Sequence, residues 1–159
     1  MQVRWWHIFV ALAGVLCVAA ACSGGPTATP PPTETPAPAG LTTITLREDS
    51  SLGGLSTNMK TTTIDAQTGA FVIEATNADP VEGAISAEDL ATLAALIDET
   101  EFFSFDADYI PSDGTCCDLV AYIIAITRDG ETHSVRASNE NMPDGFRTLL
   151  GRIQALTTG

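Results

Sequence analysis

Residues 41–159 predict an α+β domain, an antiparallel sheet of four to five strands with two helices packed on one of its faces. Three observations carry that expectation. Short runs alternate apolar and polar residues, the period of a half-buried strand. Consecutive runs are separated by short polar turns, one of them Asp129-Gly130, so neighbours in sequence pair as hairpins. Two further stretches repeat apolar residues at helical spacing behind residues suited to open a helix.

Residues 42–48 set Ile44 and Leu46 against Thr43, Thr45 and Arg47, a strand with one buried face. Gly53-Gly54 breaks that run inside a serine-rich loop. Residues 57–65 are rich in β-branched side chains, and 66–69 form a turn into 70–76, where Phe71, Ile73 and Ala75 share a face. Pro80 and Gly83 punctuate the stretch between that strand and the first helix. Ser86 opens the helix by accepting from first-turn amides, with Glu88 and Asp89 at the positive end of its dipole. Leu90, Leu93, Ala94 and Ile97 form its apolar stripe, and Phe102, Phe103 and Phe105 plug its end against the sheet. Residues 106–118 read as a loop. Residues 119–127 are apolar on both faces, as expected of an interior strand covered on both sides or partly roofed by another layer. Asp129-Gly130 turns the chain into a strand at 131–137. Pro143 suits a helix start, and Phe146, Leu149, Leu150, Ile153 and Leu156 make the second apolar stripe.

The first 40 residues have a different character. Arg4 precedes an uncharged apolar stretch, 8–21, too short for a comfortable membrane span of about twenty residues but right for a signal-peptide core. The segment ends Ala19-Ala20-Ala21-Cys22, which resembles a bacterial lipobox. That resemblance implies cleavage before Cys22 and acylation of its sulfur by chains such as palmitate. Six prolines (Pro26, Pro30, Pro31, Pro32, Pro36 and Pro38) then make residues 23–40 an extended tether. At about 3.1 Å per residue it holds the domain on the order of 50 Å from the bilayer. The expected layout is signal peptide 1–21, lipidated Cys22 with a Pro/Thr-rich tether to 40, and one domain at 41–159. The protein is then anchored in the cell envelope, facing away from the cytoplasm, and meets the membrane through its acyl anchor alone.

The chain carries twenty acidic against seven basic residues, a formal net charge of −13. Such a surface repels phosphate backbones, so nucleic acid is excluded as a partner. Catalysis is disfavoured as well. After leader removal His133 is the remaining histidine, in phase with core-facing Val135, and neither a zinc set nor more than one triad can be built around it. A half-buried strand histidine satisfied by a neighbour is the expectation. Asp106, Asp108, Asp113 and Asp118 lack the spacing and closing glutamate of a calcium loop, so no metal or cofactor is expected. Cys116 and Cys117 are adjacent, about 3.8 Å apart at Cα, closer than an ordinary disulfide prefers. In an oxidising compartment they form a candidate strained vicinal pair, a rigidified turn rather than a redox centre. If the domain binds a protein, the loops at 50–56 and 106–118 are the natural contacts, with Leu52, Gly53, Gly54, Asp108, Tyr109 and Asp113 as candidates.

A further pattern spans roughly residues 41–156. It comprises Gly53-Gly54, the helix and Phe102-Phe103 ending of 90–103, Asp118-Leu119-Val120-Ala121-Tyr122, Asp129-Gly130 followed by His133 and Val135, and Pro143 before Leu149-Leu150. Together these resemble the emfourin family, small proteinaceous inhibitors of protealysin-like, thermolysin-type metallopeptidases. The resemblance implies a non-enzymatic binding module with a metallopeptidase as partner. A structural or accessory envelope lipoprotein with another protein partner is the alternative.

Overall fold

Everything in the sheet is laid down around its first strand. The computed structural model describes residues 39–52, 55–110 and 119–158, and the side chains of all of these but 51, 52 and 55–57. β1 (Leu41–Leu52) pairs antiparallel with β2 (Leu55–Asp65) on one side and with β6 (Val120–Arg128) on the other. β3 (Ala70–Ala75) and β4 (Val81–Ala84) extend the sheet beyond β2; β7 (Glu131–Ser138) and β5 (Asp108–Tyr109) extend it beyond β6. The order is β4-β3-β2-β1-β6-β7-β5. Two helices, α1 (Ala87–Glu99) and α2 (Asp144–Thr157), complete an α+β architecture.

Register explains the core. Ile44 lies opposite both Ile64 and Ile126, and the same row continues to Phe71 and His133. The next row runs Ile73, Thr62, Leu46, Ile124, Val135. Most of these side chains share one cluster with Leu90, Leu93, Ala94 and Ile97 of α1 and Phe146, Leu149, Leu150 and Ile153 of α2. Both helices therefore cover the same face, and each fully buried Ile, Leu or Phe contributes about 1.5–3 kcal/mol through burial. Ser86 caps α1, its hydroxyl accepting from the Asp89 amide at 3.1 Å and donating to the Asp89 carboxylate at 2.7 Å. The other Asp89 oxygen takes Arg152 of α2 at 2.7 Å, which ties the helices together.

Several expectations need correction. The sheet has seven strands and is mixed, not four to five and wholly antiparallel. Residues 81–84, read as punctuation, are strand β4: Gly83 lies opposite Phe71, whose ring occupies the space a side chain would need. Within the loop at 106–118, Asp108–Tyr109 pairs parallel to β7, and the Ala107 carbonyl accepts from the Arg136 amide, so this segment caps an otherwise open edge. Of the two alternatives for 119–127, the partly roofed one holds among the described residues: β6 is interior to the sheet with the helices over one face, and Ile123 and Ala125 are half-buried on the other. The β6–β7 turn forms as expected, with Asp129 at φ 54° and Gly130 at φ 82°.

The serine-rich stretch is also more regular than a loop. β1 and β2 continue to Leu52 and Leu55, with an irregularity at Ser50/Ser51 that absorbs one residue of β2. The aromatic plug is divided: Phe102 is fully buried and Phe105 packs on the core, but Phe103 is 38% exposed under the Arg128 guanidinium.

Candidate functional site

Along the helix-facing side of β1 the side chains run Ile44, Leu46, Glu48, Ser50, changing from apolar to polar partway. β2 changes at the same level, from Ile64 and Thr62 to Lys60 and Asn58. Such a switch on one face of paired strands marks where the covering layer ends. Beyond it the long β1–β2 hairpin projects past the helices. An open hollow of about 220 Å³ lies there, lined by Glu48, Ser50, Asn58, Lys60, Thr76 and Val120 together with neighbouring strand residues, and by no residue of either helix.

Its floor is organised by cross-strand pairing. Glu48 lies opposite Lys60 on one side and Tyr122 on the other. Lys60 Nζ donates to Glu48 Oε1 at 3.0 Å, with both side chains mostly shielded. Burial, and then the neighbouring Glu48 charge, push the Tyr122 phenol above its ordinary value of 10.0. The wall is held by Ser50 Oγ donating to the Asn58 carbonyl at 3.2 Å, and by Thr76 Oγ1, which accepts from the Met59 amide at 3.1 Å. The hollow thus offers a pre-paired carboxylate and ammonium, amide and hydroxyl groups, and an apolar rim at Val120. Charged and polar side chains thus dominate the hollow, with Met59, Ala75 and Val120 as its apolar members.

The strand ends that lead into residues 53–54 and into 111–118 are at this same end of the sheet. Ser50 pairs with Val120, the first residue of β6, and the parallel β5 points the same way as the end of β7. Among the candidate contacts, Asp108 and Tyr109 are on β5. Asp108 is engaged by the Ile110 amide at 2.8 Å and by Arg136 at 3.7 Å. Tyr109 is half-buried and packs on the core, its hydroxyl accepting from the Asp106 amide at 3.0 Å. Leu52 stands at the end of β1, opposite Leu55. Gly53, Gly54, Asp113, the Cys116–Cys117 pair and the lipidation candidate Cys22 lie outside the described residues. Glu48, Asn58, Lys60 and Tyr122 do not stand out in the sequence as candidates, although the polarity switch on alternate residues of two adjoining strands signals them.

His133 is remote from this hollow. It pairs with Ile126, six residues along β6 from Val120, or about 20 Å at strand rise. Its Nε2 lies 3.1 Å from the Phe105 carbonyl, which assigns the proton to that nitrogen, and its ring meets Phe102 edge-on at 5.5 Å. No group of three or more His, Cys, Asp and Glu among the described residues is arranged to hold a metal ion. Compared with known proteins, the chain matches no family model and no curated sequence.

Proposed function

We propose that this chain is a lipid-anchored extracytoplasmic binding module that receives a protein partner at the hairpin end of its sheet. The partner class we assign is a thermolysin-type metallopeptidase, which the contact inhibits. One observation carries the reading: the β1–β2 hairpin projects past the helix layer and leaves the Glu48–Lys60 floor open, beside the strand ends that lead into the two candidate loops. The leader and tether support placement outside the cytoplasm, and the resemblance to emfourins supports the partner class.

The test is titration of a thermolysin-type peptidase with the full chain in lipid vesicles. Stoichiometric loss of peptidase activity, relieved by Asn58→Arg at the hollow's wall, is expected. An enzyme left fully active at large molar excess rejects inhibition. If the same chain is then recovered from envelope membranes in defined stoichiometry with an assembly component, the accessory-lipoprotein reading replaces it.

A further inference from the structure

We draw no further inference here: the strongest candidate, the face of the sheet away from the helices, where Val72 is 36% exposed and Ile123 and Ala125 are half-buried, carries none because nothing in the structure shows what covers it.

Discussion

Gly83 gives the sharpest test of the packing. A Cβ at this position would lie 2.3 Å from Phe71 Cζ and 2.6 Å from Cε1, far inside contact distance. Phe71 is 9% exposed and belongs to the core cluster, so its ring cannot swing aside without displacing neighbours. Overpacking of this kind costs about 1–3 kcal/mol. Alanine in a strand recovers about 0.5–1 kcal/mol relative to glycine, leaving a net loss of roughly 0.5–2 kcal/mol for Gly83→Ala. In a domain of this size each kcal/mol moves Tm by about 3–5 °C, so thermal melts should fall by roughly 2–8 °C. The urea midpoint should drop with an unchanged slope. The decisive measurement is the double-mutant cycle. Phe71→Leu withdraws the end of the ring, and in that background Gly83→Ala should be neutral or stabilising, a coupling of about 1–2 kcal/mol. An equal effect of Gly83→Ala in both backgrounds would refute the steric account.

Other positions yield to the same reasoning. Gly151, inside α2, has nothing within 4 Å of a built Cβ, so Gly151→Ala should stabilise by about 0.5–1 kcal/mol and raise Tm. The Asp65 carboxylate accepts from the Gln67 amide at 2.8 Å and the Thr68 amide at 3.2 Å, and those bonds hold its pKa below the ordinary 3.8. Because the folded pKa is depressed, its contribution is present above about pH 4 and is lost as pH falls through the folded value. Asp65→Asn should therefore flatten the acid limb of a stability–pH curve, and an unchanged limb would count against the turn's role. Tyr122 is raised first by burial and then by Glu48, so Glu48→Gln should lower its phenolate midpoint only part of the way towards 10.0. The Tyr109→Phe background isolates that titration in absorbance. The raised folded value makes Tyr122's contribution complete below about pH 10 and lost as pH rises through it, a loss Glu48→Gln should reduce.

Both helices, the β2–β3 and β6–β7 turns and the cores of β1, β2, β3, β6 and β7 were legible because their signals are local. Period, capping serine and Asp-Gly each act within a few residues. β4 and β5 were not legible, for two different reasons. Gly83 reads as a breaker until Phe71 is known to lie against it, a fact of pairing between strands. β5 is two residues long in an aspartate-rich segment, and its pairing depends on β7, more than twenty residues downstream, leaving amides to be satisfied. The hollow was hidden in the same way. Glu48 and Lys60 each look like ordinary polar alternates, and only register places one opposite the other at the level where helix cover stops. Apolar residues on both faces of 119–127 were seen correctly, but the half-buried outer stripe is matched by no covering layer among the described residues.

Electrostatics governs how a partner reaches the hairpin end. Every Lys and Arg among the described residues has an acidic partner: Arg47–Asp49, Lys60–Glu48, Arg128–Asp98, Arg136–Asp108, Arg147–Asp144 and Arg152–Asp89. The net charge of −13 therefore projects outward with no unpaired cation among these residues to offset it. A partner arriving at the hairpin end is steered by that field if its own surface is basic, and the steering fades as the screening length shortens from about 30 Å at 0.01 M salt to about 8 Å at 0.15 M. Raising salt from 0.01 M to 0.15 M should thus slow capture of a basic partner, whereas a capture rate that does not change with salt would mean that this field plays no part in the encounter.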